Sequence, residues 1–220
     1  MPHTQTYYTK KHNWFKNNPN KPEYDNPYYE FPERYNYVYD LNQIPDEELK
    51  QHITEDGIPN LGEIFEVDSV TGCFVNERIV RSFLRALFGG FEIDGCWGAL
   101  VDKTLENAVN KFHILMKLPS IAACDALANL LNKKDCDAFT NYAVIRATSN
   151  EVSNPSVRDI NEQIANADQS LSTVGTLTLT CQRLSSAVSV KQWNTIINAS
   201  DGKSAQDYDQ FAMRACTPHD

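Results

Sequence analysis

The side chains able to do chemistry are spread thinly along this chain. The five histidines, His3, His12, His52, His113 and His219, lie too far apart to form a zinc site by local spacing. No HExxH pair occurs, nor a P-loop, a GxGxxG turn or a GxSxG elbow. The six cysteines, Cys73, Cys96, Cys124, Cys136, Cys181 and Cys216, include no CxxC and are scattered, the pattern of buried reduced thiols rather than a disulfide framework. Carboxylates gather at Glu55, Asp56, Glu63, Glu66 and Asp68, and two opposed acids are what glycoside hydrolysis needs. An acid-rich loop is more simply a solvated one. The sequence therefore implies no catalytic residue, no metal and no cofactor, and the expectation is a protein that is not an enzyme.

Composition narrows the classes further. The 220 residues are 41% hydrophobic and 22% charged, enough apolar content for a core, with a formal net charge of −9. A nucleic-acid binder needs a basic face to neutralise phosphates, and anionic membrane surfaces attract the same sign. Neither a nucleic acid nor a membrane is an expected partner. No apolar run approaches the roughly 20 residues that span a bilayer. The first residues, MPHTQTYYTKKHNWFKNN, lack the apolar stretch of a secretory signal. Synthesis in the cytosol, with assembly into a virion or envelope structure, fits that start.

The elements that would carry any site follow from periodicity. Residues 1–40 hold eight of the ten tyrosines and five of the ten prolines, with no glycine. Prolines at 2, 19, 22, 27 and 32 predict an extended arm rather than a long helix. Its rings, Tyr7, Tyr8, Trp14, Phe15, Tyr28, Tyr29, Phe31 and Tyr35 among them, suit docking into a protein partner. Residues 41–75 form an acidic connector, with a helix starting at Pro45 and an extended piece at Ile64, Phe65 and Val67. Val80, Phe83, Leu84 and Leu87 make one helical face, closed by Gly89 and Gly90. Leu105, Val109, Phe112 and Met116 make a second, ended by Leu118–Pro119. Ile121, Cys124, Leu127 and Leu131 give a third. Further helices are predicted over 138–147, 156–171, 188–197 and 205–216, while Thr173–Leu179 alternates and reads as strand or helix. The expected fold class is mainly α.

Between the first two faces lies Asp94-Gly95-Cys96-Trp97-Gly98. With Val80-Arg81-x-Phe83-x-x-x-Leu87 before it, and Ala108-Val109-x-x-Phe112 and Leu118-Pro119 after it, this run resembles the peptidoglycan-binding-like domain. That is a small three-helix module appended to cell-wall hydrolases and found in phage lysins. The departures are Leu84 and His113 where the family has glutamines, and Lys117 where it has glycine. The resemblance implies a helical module over 76–133, with a helical region over 134–220 after it. It implies peptidoglycan as a ligand, held in a groove near Asp94, Trp97 and His113. Together with the arm, it implies a non-catalytic component of a phage virion, tail or envelope machine. The alternatives are a true wall-binding protein, or a lysin with its glycosidase in the C-terminal half.

Overall fold

The computed structural model describes residues 4–29, 46–55, 58–87, 111–136, 138–148, 155–181, 190–201, 205–212 and 214. Its centre is a sheet, which corrects the mainly α expectation to α/β. Four strands, β1 (Phe112–Lys117), β2 (Tyr142–Arg146), β3 (Gly175–Thr180) and β4 (Thr195–Asn198), stand in the order β2-β3-β1-β4. All three pairings are parallel.

Three of the predicted helical stretches contain these strands instead. Phe112–Lys117 stands where the second helix of the peptidoglycan-binding-like module was expected. Tyr142–Arg146 lies inside 138–147, and Thr195–Asn198 inside 188–197. The physical reason is shared. Strands of a parallel sheet covered on both faces read as short continuous apolar runs, and over 4–6 residues such runs also satisfy a helical period. The alternating stretch after Thr173 is the strand β3.

The two sheet faces bury different partners. Ile114, Met116, Leu177 and Leu179 face a core shared with α5 (Ile121–Leu131) and α4 (Glu77–Leu87). Leu115 and Ile145 face Ile160 and Ile164 of α6 (Val157–Gln169), together with Trp193 and with Phe211 of α7 (Ala205–Ala212). The chain moves from β1 through α5 to β2, then returns through α6 to β3. A reversal of direction with a single crossover hand requires helices on opposite faces, as found here.

Local chemistry sets the helix starts. Ser120 caps α5 by accepting from the Ala123 amide at 3.1 Å. Ser156 and Asp159 form a capping box on α6, with Asp159 N–H donating to Ser156 Oγ at 3.2 Å and Ser156 N–H to Asp159 Oδ2 at 2.7 Å. Lys111 closes the other end of α6. Its Nζ donates to the carbonyls of Ala167 (2.7 Å) and Ser170 and to Thr173 Oγ1 (3.2 Å), a cation at the negative pole of the helix.

Residues 46–87 pack on the first face. Asp46 caps α2 (Glu47–Lys50), accepting from the Glu48 and Leu49 amides and from the Ser82 hydroxyl. Phe65, Phe74 and Phe83 meet edge to face, with ring centroids 6.0 Å and 5.4 Å from Phe65. The extended piece expected at Ile64–Val67 is instead the end of α3 (Leu61–Ile64), followed by a single bridge from Val67 to Phe74.

The N-terminal arm is also corrected, because Thr4–Asn17 is a helix, α1. Prolines at 2 and 19 bracket a proline-free run long enough for nearly four turns. No described helix is long and apolar enough to cross a membrane.

Candidate functional site at the carboxyl edge of the sheet

In open parallel α/β sheets, ligands gather beyond the carboxyl ends of the strands, where loops leave in opposite directions. Here that place lies over β1 and β3. The chain departs from β1 toward β2 and from β3 toward β4.

Each strand delivers polar groups to this edge. β1 ends at Lys117, whose Nζ sits 5.6 Å from the centre of the Phe211 ring. That contact brings Phe211, near the end of α7, to the same edge, and Arg214 follows it in the chain. Burial pulls the Arg214 pKa down from its usual value. β2 ends at Arg146, which donates to Asn129 Oδ1 at 2.8 Å and lies 3.7 Å from Asp125 Oδ1, both on α5. Thr148 follows, fully buried, with its Oγ1 making no hydrogen bond. β3 ends at Thr180, whose hydroxyl donates to the Ala147 carbonyl at 3.3 Å. β4 ends at Asn198 and Ser200, which share a 2.9 Å hydrogen bond, and then Asp201. The Asp201 carboxylate accepts from the Leu61 and Gly62 amides at 3.2 and 2.7 Å.

Lys117 faces the α7 side of the sheet and Arg146, paired with Asp125, faces the α5 side, so what this edge offers an anionic ligand is Lys117 and the N-terminus of α5. They do not supply a nucleophile. Cys124, at the start of α5, is fully buried. Burial, and then the nearby Cys181 and Asp125, push its thiol well up, so it stays protonated. Among the described residues, no three His, Cys, Asp or Glu side chains come together to hold a metal ion.

His113 lies away from this edge. It was expected on a helix beside a glycan groove; it stands near the start of β1, buried. Its Nδ1 is 3.1 Å from Thr176 Oγ1 and its Nε2 is 3.1 Å from Asp168 Oδ1. Hydroxyl, imidazole and carboxylate are the parts of a nucleophilic relay, but Thr176 is 0% exposed and no substrate can reach it. The set is a structural network. Burial first, and Lys111 after it, lower the His113 pKa, while Asp168 opposes them. The unfolded chain therefore binds this proton more readily than the folded one. The stability that the neutral ring supports is present above pH 6.5 and is lost as pH falls toward the lowered folded value. The denaturation midpoint should drop between pH 7.5 and 5.5, with a slope of at most about 1.4 kcal/mol per pH unit from this group. His113→Gln should flatten that part of the profile; an unchanged profile would assign the dependence elsewhere.

Asp94 and Trp97, with the whole Asp-Gly-x-Trp-Gly turn, lie outside the described residues, as do Phe31 and Tyr35. Tyr7, Tyr8, Trp14 and Phe15 belong to α1, and Trp14 and Phe15 are half-buried with rings 5.6 Å apart. Tyr28 is half-buried and Tyr29 is 48% exposed. The edge cations Lys117 and Arg146 escape a reading of the sequence because, without strands, there is no edge to assign them to. Their signal is an apolar run stopped by a cation, HILMK and AVIR.

The chain matches no protein-family profile and no solved structure. It is 27% identical over 206 residues to a Mycoplasma pneumoniae protein named as a candidate type II restriction enzyme and methyltransferase, C-terminus. The match takes in 86% of this chain and 28% of that relative. This likeness overturns the expectation of a non-catalytic virion, phage-tail or cell-wall component. It also overturns the exclusion of nucleic acid and of enzymes. The relative's name is that of a restriction enzyme and methyltransferase, and nothing in it concerns peptidoglycan.

Proposed function

We propose that this chain is part of a DNA restriction–modification enzyme, with the α/β unit turning the carboxyl edge of its sheet toward a phosphate-bearing ligand. The likeness over 86% of the chain carries this reading. The parallel sheet supports it, since Lys117 and the start of α5 stand at the edge where such folds bind anions. The net charge of −9 is no obstacle. Eight of the 29 acidic residues, Asp46, Glu47, Glu48, Glu55, Asp56, Glu63, Glu66 and Asp68, fall in one segment between residues 46 and 68, and phosphate binding depends on local charge.

The test is duplex binding by the full chain, followed by fluorescence anisotropy on labelled DNA of mixed sequence. Cleavage with Mg²⁺ and methyl transfer from S-adenosylmethionine are assayed beside it. The expected result is duplex binding that weakens as salt rises, with Lys117→Gln several-fold weaker and equally stable. A chain that neither binds, cleaves nor methylates duplex DNA would overturn the reading.

A further inference from the structure

The charge on this acidic chain is unevenly placed. α1 carries Lys10, Lys11 and Lys16 and no carboxylate, and every other described helix has at least one Asp or Glu. Between residues 4 and 29 the acids are Glu23 and Asp25, both on the short turn after the helix.

The helix is two-sided. At 100° per residue, the exposed Lys10, His12, Asn13, Lys16 and Asn17 fall on one side, and the half-buried Lys11, Trp14 and Phe15 on the other. The following segment is fastened to the second side. Asn26, 3% exposed, donates from Nδ2 to the Lys11 carbonyl at 3.3 Å and accepts from the Tyr28 amide at 2.9 Å. Lys11 Nζ reaches the Tyr29 carbonyl at 3.4 Å, and Asn18 Nδ2 donates to the Trp14 carbonyl at 2.9 Å. These bonds lay residues 18–29 along the aromatic side, and the lysine side is exposed. Lys21, on the turn, is exposed as well, and among the described residues no ion pair engages Lys10, Lys16 or Lys21.

We infer that the outward face of α1, with Lys10, Lys16 and Lys21, is a contact surface for the phosphate backbone of duplex DNA. Charge complementarity selects this occupant. Three exposed cations that no ion pair engages among the described residues, in a chain whose net charge would otherwise repel a polyanion, attract phosphates without reading bases. The exposed Asn13 and Asn17 add neutral donors that phosphate oxygens accept. The inference rests on the DNA-directed reading above.

The experiment compares the full chain with the Lys10→Gln/Lys16→Gln/Lys21→Gln and the Lys10→Arg/Lys16→Arg/Lys21→Arg variants on a labelled duplex of mixed sequence. Anisotropy is followed from 50 to 200 mM salt, with thermal melting as the check on folding. Each phosphate contact contributes about 0.9 to the slope of log K against log salt. The glutamine variant should therefore lose about 2.7 from the slope and bind at least tenfold more weakly at 100 mM salt, and the arginine variant should match the parent. A parent that binds, with a glutamine variant of equal slope and affinity, would overturn the inference and leave the DNA reading standing; the lysine face would then suit an acidic protein surface. A parent that neither binds, cleaves nor methylates duplex DNA would overturn both.

Discussion

Alanine at position 175 is expected to cost about 3 kcal/mol or more, enough to leave much of the protein unfolded. Gly175 opens β3 and pairs in register with Phe112 of β1, the two strands at the centre of the sheet. A Cβ built there would lie 1.7 Å from the Phe112 carbonyl oxygen and 2.7 Å from its carbonyl carbon. Both are backbone atoms, and neither can step aside without breaking the β1–β3 register. Gly72 provides the contrast. Its φ is +67° and nothing lies within 4 Å of the added Cβ, so alanine there meets only the left-handed penalty of about 1–2 kcal/mol. Urea denaturation followed by circular dichroism separates the cases. A Gly175→Ala protein within about 0.5 kcal/mol of the parent would mean that the central register has room the structure does not contain.

The second large effect is expected at Trp193. Its side chain is 1% exposed in the core beneath α6 and α7, and its Nε1–H donates to Thr178 Oγ1 at 3.2 Å. Truncation to alanine should cost about 3–5 kcal/mol, through lost burial and the cavity it leaves. Phenylalanine retains most of the ring but removes the donor, leaving a fully buried hydroxyl short of a partner at about 1–3 kcal/mol. Adding Thr178→Val to Trp193→Phe removes the orphaned group and should recover part of that loss. Additive losses from the two substitutions would show that the hydrogen bond contributes nothing of its own.

The same threonine explains what the sequence disclosed and what it hid. In Gly-Thr-Leu-Thr-Leu-Thr the leucines face one core, and Thr176, Thr178 and Thr180 face the other, each with a partner in His113, Trp193 or Ala147. Alternation was visible because hydroxyls fill one side. β1, apolar on both sides except at His113 and Lys117, has no alternation to see. The helices α4, α5 and α6 were legible from apolar spacing. α1 was missed because prolines flanking a helix were weighed as though they lay inside it. His113 was picked out as a site residue, yet its neighbours come from Thr176 and Asp168, 63 and 55 positions away. No local spacing encodes such partners.

The strand order also bears on how the chain comes off the ribosome. β1 and β2 are made first, and they are not neighbours; β3 lies between them. β4, made last, pairs only with β1. No two of these strands can therefore join until Gly175–Thr180 has left the exit tunnel. At roughly 5–20 residues per second, the 63 residues from Phe112 to its partner Gly175 keep β1 without a strand neighbour for about 3–13 s. During that interval an apolar strand waits beside a nascent α5, and a chaperone would have its opportunity.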